Sequence, residues 1–163
     1  MNENLRSILV GTSALAAAAL GSLLLTLTRR GFKSDSKTQD RLARLFLIGI
    51  SLQCLHFIEE FITRFYQRFP RQLGVSAWSS EFFVAFNLFW IAVWGLSVIG
   101  IRQNFRAAFF ATWFFIIAMV ANGVAHPLLA VAVGGYFPGL WTSPLVVLVG
   151  VVLGSAFWKF TAR

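Results

Sequence analysis

The chain has 163 residues, 58% of them hydrophobic and only 12% charged, with a mean hydropathy of +0.74. A water-soluble domain of this size cannot hide that much apolar surface, so the composition excludes a soluble globule and indicates an integral membrane protein. The net charge of +8 does not indicate nucleic acid, because the basic residues stand between apolar runs rather than along a face.

Hydrocarbon about 30 Å thick requires roughly 20 apolar residues per helix. Five segments meet that length, at about 8–28, 42–65, 82–101, 107–133 and 140–160. The runs are long, continuous and free of period-2 alternation, which argues against a barrel. The expectation is an all-α, polytopic membrane bundle of five transmembrane helices, forming one integral domain over residues 1–163 with short loops and no repeat. Four helices would surround a polar pocket, with the first packed outside as an accessory.

The first span, VGTSALAAAALGSLLLTLTRR, resembles a cleaved signal only superficially. Its apolar run is too long, its flank is weakly basic, and it ends at Arg29-Arg30 like an anchor, so it reads as a retained helix. Its small residues suit close helix packing. After the second span, YQRFPRQLGVSAWSS (66–80) mixes aromatic and basic residues with Pro70 and Gly74, as an interfacial connector does, with Trp78 at headgroup level. The single cysteine, Cys54, excludes an intrachain disulfide and a cysteine-rich metal site.

Charge sets the expected orientation. Arg29, Arg30, Lys33, Lys37, Arg41, Arg44, Arg102, Arg106, Lys159 and Arg163 fall on one side, and Arg6, Arg64, Arg68 and Arg71 on the other. The positive-inside rule then puts the N-terminus outside the cell (plasma or inner) membrane and the C-terminus in the cytoplasm.

Within the spans, the polar residues gather at one depth. His56, Glu59 and Glu60 stand at i, i+3 and i+4 in LHFIEEFITRF, with His56 roughly 12 Å and Glu60 roughly 6 Å below Arg64. Glu59 and Glu60 flank the His56 direction on either side, so the spacing leaves open which of them faces the pocket. In ANGVAHPLL, Asn122 and His126 share a face about 12 Å below the Gly134-Gly135 turn, and Pro127 should kink that helix. The third span enters at Glu81 and reaches Asn87 about 9 Å down, followed by Trp90 and Trp94. Three helices thus bring polar groups to the outer half of the membrane, where such groups are costly and mark functional sites.

Three chemistries suit the cluster. The first is a divalent metal, zinc or iron, held by His56, Glu59, Glu60 and His126, since imidazoles and carboxylates are the usual ligands and bundles build such sites from inward His and Glu. Asn87, Asn122, Glu81 and Tyr136 would then support the ligands, while Trp90 and Trp94 line an apolar substrate slot. The second is metal-free acid–base catalysis, with Glu59 and Glu60 as acid and base beside His56. The third is non-catalytic: Glu60 pairs with Arg64 at i, i+4, Glu81 caps its helix, and Asn122 and His126 hold helices together. VGGYFPGLWTSP, with Gly134, Gly135 and Pro138-Gly139, reads as turn chemistry that also brings Tyr136 or Thr142 near the cluster.

HFIEE, the Asn-bearing FNLFW, NGVAH and GGYFPGLWTSP together resemble the HXXEE-domain family of small bacterial integral membrane proteins over about residues 45–160. The resemblance marks His56, Glu59 and Glu60 as the defining motif and implies no particular activity. An architectural analogy to the emopamil-binding sterol isomerases rests on residue types alone. The expected function is a membrane-embedded metal-dependent enzyme acting on a lipid or other hydrophobic small molecule. A metal-free isomerase is the first alternative, and a binding or assembly subunit the second. The expected partners are the bilayer and the hydrophobic substrate, with no nucleic acid. Oligomeric state, metal identity and reaction type stay open.

Overall fold

The computed structural model describes residues 2–29 and 35–162. Arg30, Lys33 and Arg163, which enter the charge balance, lie outside the described residues. The chain forms seven helices: α1 (Glu3–Gly11), α2 (Ser13–Thr28), α3 (Ser36–Ile62), α4 (Phe65–Gln72), α5 (Ser80–Arg102), α6 (Arg106–Ala132) and α7 (Ser143–Phe160). No strand occurs among the described residues. Four of them, α3, α5, α6 and α7, are long and apolar enough to cross a membrane, and α1 with α2 adds a fifth if the bent pair counts as one span.

The first span is bent rather than straight. Thr12 leaves helical geometry at φ −101°, ψ 3°, and the hydroxyls of Thr12 and Ser13 bond back to Ile8 O and Val10 O at 2.7 and 2.8 Å. Side-chain hydroxyls competing with the backbone ladder favour such breaks, and the two helices meet at 48°. α1 then lies against the connector before α5: Ser7 Oγ donates to Ser76 O, and Trp78 Nε1 donates to Ser7 O at 3.4 Å. Trp78 is therefore tied to α1.

The four long helices close a ring, α3 on α5, α5 on α6, α6 on α7 and α7 back on α3, and α2 packs on α6 from outside. α6 is the central element, with Phe115, Met119 and Thr112 fully enclosed. It comes close to α7 because Gly150 faces Met119 there; a Cβ on Gly150 would lie 2.9 Å from Met119 Cβ. Small residues at such crossings let backbones approach, which is the main packing device where lipid offers no hydrophobic drive. α6 runs unbroken through Pro127. Outward faces are apolar, with Val131 80% and Leu96 71% exposed, as lipid contact requires.

The helix ends sort by charge. At one end Arg29 donates to Trp158 O at 2.7 Å and to Thr161 Oγ1 at 3.2 Å, Arg106 donates to Thr26 O at 3.0 Å, and Arg102 pairs with Asp40 at 3.0 Å. At the other end Arg64, at φ 61°, ends the α3 turn and starts the short helix α4, which lies across the bundle mouth. The candidate site lies under α4.

Candidate metal centre

Three side chains from two helices converge beneath α4. Glu60 Oε1 stands 3.5 Å from His56 Nε2 and 3.4 Å from His126 Nε2, and the two imidazole Nε2 atoms are 3.2 Å apart. His56 and His126 are 0% and 2% exposed and Glu60 is 5%. His56 and Glu60 share a face of α3 at i, i+4, and α6 supplies His126.

The outer partners of the two rings decide what this convergence means. Thr142 Oγ1 donates its one proton to Glu59 Oε2 at 2.5 Å, so toward His56 Nδ1, at 2.7 Å, it can only accept. His126 Nδ1 lies 2.5 Å from the carbonyl oxygen of Pro138, which also only accepts. Assigned from these partners, both rings carry a proton on Nδ1, and as neutral rings they present Nε2 lone pairs to each other and to a carboxylate oxygen. Three such atoms at this spacing, buried from water, repel one another unless a metal ion or a proton sits among them. Ligands about 2.0–2.1 Å from a tetrahedral zinc stand roughly 3.3–3.4 Å apart, which the three separations match. Among the described residues, His56, Glu60 and His126 are the one His/Cys/Asp/Glu group spaced to hold an ion.

Glu59 does not join this triad. It accepts hydrogen bonds from Tyr136 Oη at 2.7 Å, Trp141 N–H at 3.0 Å, Thr142 N–H at 2.8 Å and Thr142 Oγ1. The two backbone donors belong to the entrance of α7, where Thr142 lacks a side-chain cap of its own. Glu59 thus caps α7 from α3, where the helix dipole favours negative charge, and holds the threonine that orients His56. Supporting carboxylates of this kind fix the tautomer and direction of a ligating imidazole. Burial, and then the Glu59 hydrogen bond, raise the Tyr136 pKa above its ordinary value.

The loop over the triad is built for close approach. Gly139 has φ +86°, and a Cβ there would come within 2.5 Å of His126 Cε1. Arg68 of α4 donates to Tyr136 O at 3.2 Å, and the Phe65 ring lies 5.4 Å from the His126 ring, so α4 and the loop roof the site together.

The other expected residues divide. Glu60 forms no ion pair with Arg64 among the described residues, because α3 ends at Ile62 and Arg64 turns left-handed, off the helical register. Glu81 is exposed at the first turn of α5 and takes no part in the triad. Asn87, Asn122, Trp90 and Trp94 make no hydrogen bond to the triad among the described residues; they line a cavity of about 190 Å³ whose wall includes Glu60 and His126. The Thr12 hinge and Ala14, Leu15 and Ala18 of α2 close that cavity, so the added first helix also shapes the site. Sequence reasoning passed over Gln53, which shares the His56–Glu60 stripe at i−3 and i−7 and lines the same cavity. It also passed over the Pro138 carbonyl, a backbone group that no residue type announces.

No curated protein and no solved structure matches the chain. Residues 47–153 match the sequence model of a family described as proteins of unknown function with an HXXEE motif, and that stretch holds the whole triad and the loop above it. With that match covering more than half of its length, the chain belongs to the HXXEE family.

Proposed function

We propose that the chain is a membrane-embedded metal-dependent enzyme acting on a lipid or other apolar small molecule, with His56, Glu60 and His126 holding a zinc or iron ion. The observation that carries this reading is the set of three ligand atoms 3.2–3.5 Å apart, each on a buried residue. Two histidines and one carboxylate leave positions open on either metal for water or substrate. A bound ion would polarise a substrate oxygen or activate water, and Glu60 and His126 already form part of an apolar cavity wall where a substrate can meet it. By charge, the α4 side faces out of the cell.

The metal-free isomerase reading needs two carboxyl groups working as acid and base. Glu59 is held by four donors and does not line the cavity, so only Glu60 remains for that role. Elemental analysis of untagged protein, purified in detergent without chelators, tests the choice. The expected result is about one zinc or iron per chain, lost in His56→Ala and His126→Ala. A well-folded wild type that takes up neither metal on reconstitution overturns the proposal and leaves a proton shared among the three groups.

A further inference from the structure

The cavity beside the triad is closed toward α4 and open sideways. Its α4 end is roofed by rings in an unbroken run: Phe65 on Phe69 at 4.8 Å between centroids, Phe69 on Trp78 at 5.9 Å and Trp78 on Phe82 at 6.1 Å, all four lining the cavity. Gly11, the last residue of α1, leaves no room for a Cβ against the Trp78 ring, so α1 seals onto that roof. A polar solute arriving from the water at this end would have to shed its hydration and part the rings.

The side wall is different. α2 runs antiparallel to α6, since Arg106 at the start of α6 bonds to Thr26 near the end of α2, and Gly21 lies against Ile117. Equal rises from that contact put Ser13 roughly level with Ala125. There α2 ends at its 48° break, and the chain on the far side, α1, packs on α4. Ala14, Ala121 and Ala125 line the cavity at this level and all three are exposed, so the wall has a window edged by methyl groups. Its surroundings on α6 face lipid, with Val124 50% and Leu128 64% exposed. Ala125 stands about 10 Å inside the end of α6 at Ala132, which is hydrocarbon depth and not headgroup depth.

Volume and chemistry narrow the occupant. An apolar cavity of about 150 Å³ holds benzene, so about 190 Å³ takes a segment of a membrane lipid and not the whole molecule. Leu15, Phe82, Phe86, Trp90 and Phe114 give the wall a surface that a hydrocarbon segment covers without stranding a polar group of its own. We infer that the cavity is a chain-binding site entered sideways from the bilayer: one hydrocarbon chain of a membrane lipid passes between α6 and the α1–α2 break, and its inserted segment lies beside Glu60 and His126. The inference deepens the proposed function and rests on it for the chemistry: the group that reacts belongs to the chain, while the headgroup stays at the interface. Chain entry itself requires no metal.

The test places wild-type protein in bilayers of a phosphatidylcholine that carries a photoactivatable diazirine at mid-chain, and maps the adducts by peptide mass spectrometry. Adducts are expected on the half-buried lining residues Asn122 and Trp90 as well as on the outward Leu128 and Val131. Ala125→Phe, which fills the window with a ring, should remove the adducts on Asn122 and Trp90 and keep those on Leu128 and Val131. Ala17→Phe, exposed on α2 and outside the cavity lining, should change neither set. Adducts confined to the outward residues overturn the inference, and this wild-type map decides even where Ala125→Phe does not fold. Inner adducts that persist in a folded Ala125→Phe, or that a water-soluble diazirine forms and the lipid does not, overturn it as well. Inner adducts in protein that takes up no metal overturn the metalloenzyme reading alone, and metal uptake without inner adducts overturns this inference alone.

Discussion

Glu59 and Glu60 are adjacent and chemically identical, yet their surroundings are opposite. Glu59 meets four hydrogen-bond donors, while Glu60 Oε1 faces the Nε2 atoms of two imidazoles. If the triad holds a metal as proposed, the two glutamates of the motif carry separate tasks, ligand and anchor, and their conservative variants should separate. Glu60→Gln removes the anionic ligand and should abolish stoichiometric metal at micromolar concentrations. Glu59→Gln should weaken metal binding by about 10–100-fold through misorientation of His56, and should lower stability by about 1–3 kcal/mol as its donors lose their charged acceptor. Metal titration beside thermal unfolding reads both effects; metal lost in Glu59→Gln and kept in Glu60→Gln would reverse the assignment. The helical period alone could not make this choice, because residues at i+3 and i+4 flank His56 almost symmetrically. What decides it is the entrance of α7, whose Thr142 lies 83 positions from Glu59 in the chain. His56 and His126 were legible because an ionisable group in an apolar run has few other reasons to be there.

The loop joining α6 to α7 shows how an element can be readable as a turn and still hide its task. Gly134 and Gly139 both occupy the left-handed region, at φ +70° and +86°, as the glycine-rich sequence led one to expect. Their surroundings differ: a Cβ on Gly134 meets open space, whereas one on Gly139 meets the His126 ring. Gly134→Ala should cost only the backbone strain of about 1–2 kcal/mol and keep the metal. Gly139→Ala adds displacement of His126 from the Pro138 carbonyl, so thermal stability should fall further and metal content should drop. Equal behaviour of the two variants in unfolding and metal analysis would show that the loop is turn chemistry only. The same contrast explains what the sequence left hidden: a positive φ is announced by residue type, but the imidazole that the glycine must clear comes from the neighbouring helix. The bend at Thr12 escaped notice for a related reason, since hydroxyls inside an apolar run bond to their own helix in spans that stay straight as well.

At the scale of the whole molecule the bundle is polar at its two ends in different ways. One end gathers the arginines that clasp Trp158, Thr161, Thr26 and Asp40; the other holds the triad, its loop and α4. The four long spans and their apolar faces follow directly from hydropathy, because lipid imposes the same demand on every span, whereas α4 and the break between α1 and α2 do not. Sidedness rests on the charge bias alone, and it decides which compartment would supply the proposed metal. If the clasped end is cytoplasmic, the site opens on the outer half of the membrane and loads from outside. Two cysteines in a Cys54→Ser background test this: Gly135→Cys, in open space beside the loop, and Gln103→Cys, exposed at the α5–α6 connection. A membrane-impermeant maleimide applied to intact cells should label the first at once and the second only after permeabilisation. The opposite pattern would turn the triad toward the cytoplasm and make it dependent on the cytoplasmic metal pool. The fold and the triad would stand unchanged, because both follow from packing within the bundle and neither depends on which side the bundle faces.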